Sequence, residues 1–285
     1  MDRERLRRIR NHQSDDWYAA LVMRPLTILV MLVVADWRWL TPNRLTSLGN
    51  VCKLAAALLL LPAAARVLGV GATAAAWIAV VLLQLGLLFD HLDGTVARYR
   101  RSFSALGSFY DKTGDIVTWF LVMVALGWRG YERHGDAVLI VLALTSAYAL
   151  AVRGYMKWLV VAESERLRWH LAAGDPGAAI ARMTAAPVFE DAPARSAGDW
   201  ARWLAGMSIQ LYRFEEVDLF FWVGLGVLID RVDLLCWLLA VTQVIGMVGM
   251  MARRVREVAR LDAALAPHRA GRGRDIGQDV GQDVG

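Results

Sequence analysis

The stretch FDHLDGTVARYRRSFSALGSFYDKTGD, residues 89–115, lies between two strongly apolar segments and carries four aspartates, Asp90, Asp93, Asp111 and Asp115. A charge inside or at the edge of a hydrocarbon layer is costly and marks a functional position by default. Its meaning depends on whether the flanking segments belong in a membrane.

They do by composition and by length. The chain has 285 residues, 57% of them hydrophobic, with a mean hydropathy of +0.38. Its apolar residues fall in six blocks, 45–68, 72–89, 116–128, 137–152, 217–229 and 234–251, rather than in amphipathic stripes. A membrane-spanning helix takes about 20 mainly apolar residues. Several blocks reach that alone, and the third and fifth reach it with their flanking turns. The expected fold is an all-α integral membrane protein with six transmembrane helices. A seventh run, 24–37, has an apolar core of only about ten residues, short for a span. Trp17, Tyr18, Trp37, Arg38 and Trp39 flank it, and aromatic and basic residues favour the headgroup layer. It is read as an amino-terminal interfacial amphipathic helix, with a tilted seventh span as the alternative.

Six spans place Arg3, Arg5, Arg7, Arg8, Arg10, Arg98, Arg100, Arg101, Arg166, Arg168, Arg253, Arg254 and Arg256 on one side. Arg66, Arg129, Arg133 and Arg231 fall on the other. The excess of positive charge predicts that both termini and the 89–115 seam are cytoplasmic, in an inner or plasma membrane. The pI near 9.5 fits a basic face against anionic lipid. No nucleic-acid partner is expected, because nothing resembles a base-reading module. The opening MDRERLRRIRNHQ lacks the features of a cleaved signal. Cys52 and Cys236 are isolated, without zinc or disulfide spacing. The expected organisation is an interfacial segment 1–44, a transmembrane catalytic domain 45–255 with a connection at about 162–212, and a polar, disordered tail 256–285 ending in a GQDV repeat.

Asp90, Asp93, Gly94, Ala97 and Arg98 recur at helical spacing on one face, as do Gly107, Asp111 and Asp115. About nine residues join the two helices, a link short enough to make them antiparallel neighbours. The acidic faces then meet across a narrow gap, with two glycines and an alanine leaving room for a ligand. Four carboxylates in such a gap repel one another unless a cation joins them. All-oxygen ligands suit a hard divalent ion, magnesium, manganese or calcium, which proteins commonly share with substrate phosphates. A carboxylate left over from metal binding could act as general base. The residues alone thus point to a metal-dependent site for a phosphate-bearing substrate at the membrane surface.

Written out, the stretch is D-x2-D-G-x2-A-R-x8-G-x3-D-x3-D, which resembles the full signature of the CDP-alcohol phosphotransferase family. Eight fixed residues at usages of roughly 5–8% each make a chance match far rarer than about one in a million. TPNRLTSLG, residues 41–49, also resembles the family's entry to its first span. The resemblance implies six spans, an interfacial amino-terminal helix, a cytoplasmic active site and a homodimer. It implies that Asp90, Asp93 and Asp111 hold Mg2+ or Mn2+, and that Asp115 is the general base and touches a second metal. Gly94, Ala97, Gly107 and Arg98 would form the cofactor-binding face for the cytidine nucleotide. The implied reaction is attack of an alcohol hydroxyl on a CDP-alcohol, with CMP leaving.

Two donors fit that class. CDP-diacylglycerol would hand a phosphatidyl group to a polar alcohol, or CDP-choline or CDP-ethanolamine would hand its head to diacylglycerol. Arg153 and Lys157, spaced i, i+4, with Arg213 before the fifth block, are candidates for a phosphate on the acceptor and favour CDP-diacylglycerol. The same cations could instead be snorkelling anchors. The long connection, with Trp169, Trp200 and Trp203, leaves acceptor specificity open. His91 points off the acidic face and is read as packing. GVGATA, residues 69–74, follows an apolar helix rather than a strand and is not a dinucleotide turn. The rival from another class is a cation- or proton-coupled transporter, whose site would sit at the bilayer midplane among broken helices.

Overall fold

A computed structural model describes residues 6, 8–9, 16–102, 104–171, 196–211 and 216–279. Helices account for the regular structure, and no strand occurs among the described residues. In chain order they are α1 (Ala19–Val34, its first turn Ala19–Met23 π-helical), α2 (Pro42–Leu60), α3 (Pro62–Val67), α4 (Ala72–Arg100) and α5 (Ala105–His134), then α6 (Val138–Leu171), α7 (Ala197–Leu211), α8 (Glu216–Leu228) and α9 (Val232–Asp279). Among the described residues, three helical stretches are long and apolar enough to cross a membrane: Ala72–Arg100, Val138–Glu165 and Val232–Ala263. Ala19–Val34 and Val217–Leu228 are shorter apolar helices.

The chain divides into two compact units, residues 1–151 with 189–244, and 152–188 with 245–285. In the first, α2 packs against both α4 and α5. Thr41 caps α2 by accepting from the Arg44 amide, and Pro42 takes the first turn, where its missing N–H is no loss. Pro62 ends it, since the residue before a proline is driven out of helical geometry and Leu61 is extended. Close approach of α2 and α4 rests on two glycines. A Cβ on Gly49 would lie 3.0 Å from the Gly86 carbonyl oxygen, and one on Gly86 would lie 2.8 Å from Lys53 Cγ.

The core of this unit includes Leu83, Leu87, Trp119, Met123, Leu126 and Leu239, all buried. A second cluster sets Met31 and Val34 of α1 against Leu92 and Val96 of α4. Arg24 fastens α1 to α4, donating to Thr95 Oγ1 at 3.1 Å and to the Ile9 carbonyl at 2.8 Å. Arg100 closes the other end of α1, donating to the carbonyls of Ala35, Trp37 and Leu40. Those are the orphan acceptors that a helix end and its following turn leave behind.

In the second unit, the Arg153 side chain of α6 is buried and packs on Gly246 of α9, where a Cβ would lie 3.4–3.6 Å from the guanidinium. Arg254 pairs with Glu257 at 2.6 Å. α9 continues as helix to Asp279, into the segment for which composition predicts disorder. Up to residue 266 the reason is local: ARRVREVARLDAALA, residues 252–266, is built mostly of strong helix formers.

Candidate metal and phosphate site

α4 presents Asp90 and Asp93, and α5 presents Asp111 and Asp115. The turn between them is set by two caps. Arg101 adopts a left-handed conformation (φ 52°) that ends α4, and the Ser104 hydroxyl accepts from the Gly107 amide to start α5. One carboxylate oxygen from each of Asp90, Asp93 and Asp111 lies within 4.8 Å of the others. Oxygen ligands about 2.0–2.1 Å from an octahedral magnesium ion stand about 2.9 Å (cis) to about 4.2 Å (trans) apart, so the three carboxylates would draw together to share a hard divalent cation. The donor set is all carboxylate oxygen, which fits magnesium or manganese and not a soft-metal centre.

The fourth carboxylate has a different partner. Lys53 of α2 is almost fully buried, and its Nζ stands 2.8 Å from Asp115 Oδ1 and 3.7 Å from Asp90 Oδ1. The same ammonium lies 5.4 Å from the centre of the Phe220 ring on α8. Asp93 accepts a short hydrogen bond from the Thr46 hydroxyl, also of α2. Asp111 is paired with its neighbour Lys112 at 3.1 Å.

α2 is therefore the third wall of the site. Asn43, Thr46, Ser47, Asn50 and Lys53 recur at i, i+3, i+4, i+7 and i+10, one face of a helix. A Cβ on Gly107 would meet Asn43 Oδ1 at 3.0 Å, and one on Gly114 would overlap the Asn50 amide. Ser47 Oγ and the Tyr110 hydroxyl are 3.2 Å apart. TPNRLTSLG begins this face, but the sequence alone does not mark Asn50 and Lys53 as part of the site. The signal they do leave is an amide and an ammonium one turn apart in an apolar run, continuing the face begun by Asn43 and Thr46.

The remaining motif residues occupy the end of α4. The Arg98 guanidinium folds back over Gly94, 3.3 Å from where a Cβ would sit, and donates to Thr95 Oγ1 at 3.3 Å. Ala97 is buried, and its carbonyl accepts from the Ser102 amide at 2.9 Å. His91 stays off the triad, its Nδ1 3.9 Å from Asp90 Oδ2. Of the suggested acceptor residues, Arg153 and Lys157 belong to the second unit and Arg213 lies outside the described residues. Most of the 162–212 connection lies outside them too.

Residues 39–211 match the family described as CDP-alcohol phosphatidyltransferase. The chain belongs to that family, and its reaction class is transfer of a phosphatidyl or related group from a CDP-alcohol in phospholipid synthesis. It is an integral membrane protein. Among solved structures it is similar to Mycobacterium tuberculosis phosphatidylinositol phosphate synthase (PgsA1) with CDP-DAG bound, at 21% identity and a TM-score of 0.49, covering 82% of this chain and 94% of that one. The same enzyme in complex with manganese and citrate matches at 20% identity and a TM-score of 0.49, covering 82% and 88%. A comparison with curated proteins gave no match.

Proposed function

We propose that this chain transfers a phosphatidyl group from CDP-diacylglycerol to the hydroxyl of a polar, phosphorylated alcohol, releasing CMP. The observation that carries the reading is the Asp90–Asp93–Asp111 triad beside the Lys53–Asp115 pair, within a family match that spans the motif. Asp90, Asp93 and Asp111 would hold Mg2+ or Mn2+, and Asp115, linked to Asp90 through the Lys53 ammonium, would touch a second ion. Such an ion neutralises pyrophosphate charge in phosphoryl transfer.

The chain's own residues account for the rest. Asp115 takes the proton of the acceptor hydroxyl as its oxygen bonds to the phosphorus that carries diacylglycerol. The bond from that phosphorus to the bridging oxygen breaks, and CMP leaves with the electron pair. Lys53 holds the Asp115 carboxylate in place and is poised for charge that develops on the phosphates. Gly94, Ala97, Gly107 and Arg98 form the face for the cytidine nucleotide; the Arg98 guanidinium lying over Gly94 supports it by setting a cation on that face. Arg153, Lys157 and Arg213 take the acceptor's phosphate, a role supported by a buried guanidinium at Arg153, where a surface anchor would reach outward.

The molecular setting in this reading is six spans, an interfacial helix at α1 and a homodimer. Termini and carboxylates face the cytoplasm from the inner or plasma membrane, and the domain boundaries are 1–44, 45–255 and 256–285. The short length of α1 and the tryptophan pair Trp37–Trp39 beyond it, stacked at 5.9 Å, support an interfacial placement.

The test is CMP release by purified protein with magnesium, offering CDP-diacylglycerol or CDP-choline against a panel of acceptors. CMP from CDP-diacylglycerol alone, dependent on a phosphorylated acceptor and lost in Asp115→Asn, is the expected result. Release from CDP-choline with diacylglycerol would overturn the donor assignment.

A further inference from the structure

The first unit holds a cavity of about 460 Å3 at the ends of α4 and α5 remote from the carboxylates. Arg129 on α5 is 18 residues from Asp111, about 27 Å along a helix at 1.5 Å per residue. The cavity wall carries three arginines, Arg66, Arg129 and Arg133, and two acids, Glu132 and Asp230. Both acids are engaged: Arg66 reaches Glu132 at 2.9 Å and Arg133 reaches Asp230 at 2.5 Å. Glu132 also accepts from the Trp128 indole at 2.8 Å. Among the described residues Arg129 forms no ion pair and no side-chain hydrogen bond, although it is half-buried and lines the cavity. Three guanidinium groups against two carboxylates leave one positive charge in excess.

A second feature sets the level of the cavity. Trp77, on its rim, is 57% exposed, and Trp128 and Tyr131 on the adjoining turns of α5 are also exposed on the outer surface. Exposed aromatic side chains on apolar helices mark the headgroup layer of a bilayer. The acid that acts on Arg129, Asp230, is already held by Arg133. A half-buried arginine that shares its only cavity carboxylate with a second arginine, at headgroup height, is chemically matched to a phosphate.

We infer that this cavity binds the phosphate of an anionic phospholipid headgroup, with Arg129 as its main contact, at the membrane face opposite the catalytic carboxylates. Arg66 and Arg133 form the rim, held open by Glu132 and Asp230. Thr73, at the mouth of α4, faces the same space. A headgroup with net negative charge is selected over a zwitterionic one because the wall carries a single excess positive charge.

Native mass spectrometry of the full chain in detergent tests this with added phosphatidylglycerol, phosphatidylcholine or inorganic phosphate. Wild type should retain one more phosphatidylglycerol than Arg129→Gln, and show no such difference with phosphatidylcholine. Arg129→Lys should keep the lipid through its charge, and Thr73→Phe should lose it by filling the cavity with every arginine intact. CMP release in detergent should be the same in all four proteins, which separates this site from the catalytic one. Equal retention by wild type, Arg129→Gln and Thr73→Phe would overturn the inference. So would displacement of the lipid by inorganic phosphate, which would make a free anion the occupant.

Discussion

Lys53 Nζ lies 2.8 Å from Asp115 Oδ1, joining the first long helix to the second of the two acidic helices across 62 residues of sequence. A buried lysine is retained when a partner compensates its desolvation, and removing one member of a buried pair leaves the other charge exposed to that cost. The pair therefore ties the shape of the site to its charge.

Lys53→Met should lower CMP release by on the order of 100-fold, the scale of misplacing a general base. The melting temperature should also fall, because Asp115 and Asp90 lose their shared cation. A variant with unchanged activity would show that Lys53 only fills space.

Thr46→Val removes the hydroxyl that Asp93 accepts from, at nearly constant volume. Loss of a group that orients a metal ligand typically costs 10–100-fold in metal affinity. The magnesium concentration for half-maximal activity should rise by about 10-fold, while the rate at saturating metal changes little. A metal titration of both proteins gives the answer; superimposable curves would separate Thr46 from the metal.

Chelation should abolish activity, and either Mg2+ or Mn2+ should restore it, since the Asp90–Asp93–Asp111 donors are oxygen only. Asp93→Asn should not be rescued at any metal concentration that rescues wild type. Undiminished turnover after exhaustive chelation would contradict the metal assignment.

Gly86→Ala places a methyl 2.8 Å from Lys53 Cγ and 3.1 Å from the Gly49 carbonyl oxygen. The lysine can yield but the backbone cannot, so α2 and α4 must separate. Overpacking of this kind costs about 1–3 kcal/mol. The variant should melt earlier and lose activity out of proportion to its remaining folded fraction, because the displaced α2 carries Lys53 and Thr46. Thermal melts with CMP assays on the same sample distinguish this from simple destabilisation.

Arg153→Ala should raise the KM for a phosphorylated acceptor without moving the KM for CDP-diacylglycerol. Equal changes in both constants would place Arg153 away from the acceptor.

The carboxylates were legible in the sequence because their chemistry demands a helical spacing. Asp90 and Asp93 at i, i+3, and Asp111 and Asp115 at i, i+4, share faces whatever else the chain does. Three of the apolar blocks, 72–89, 137–152 and 234–251, were legible for a similar reason, since a bilayer sets a length. The α2 face was harder to see. Asn50 and Lys53 look like defects in a span until the helix is turned toward the aspartates. In the same way, Arg129 is one of four arginines on the sparsely charged side, and only the ion pairs of Arg66, Arg133 and Arg231 set it apart.

By itself the sequence determined that four carboxylates share helical faces between two apolar segments of a membrane protein, the pattern expected of an oxygen-ligand metal site for a phosphate-bearing substrate. That follows from residue identity and periodicity, which are local properties of a helix, and the resemblance of the motif to its family added the CDP-alcohol. Only the tertiary structure decided that Lys53 and Thr46 complete the site. Their place depends on Gly49 and Gly86 letting two backbones approach, and contact between segments about 40 residues apart is written in packing rather than in spacing along either helix.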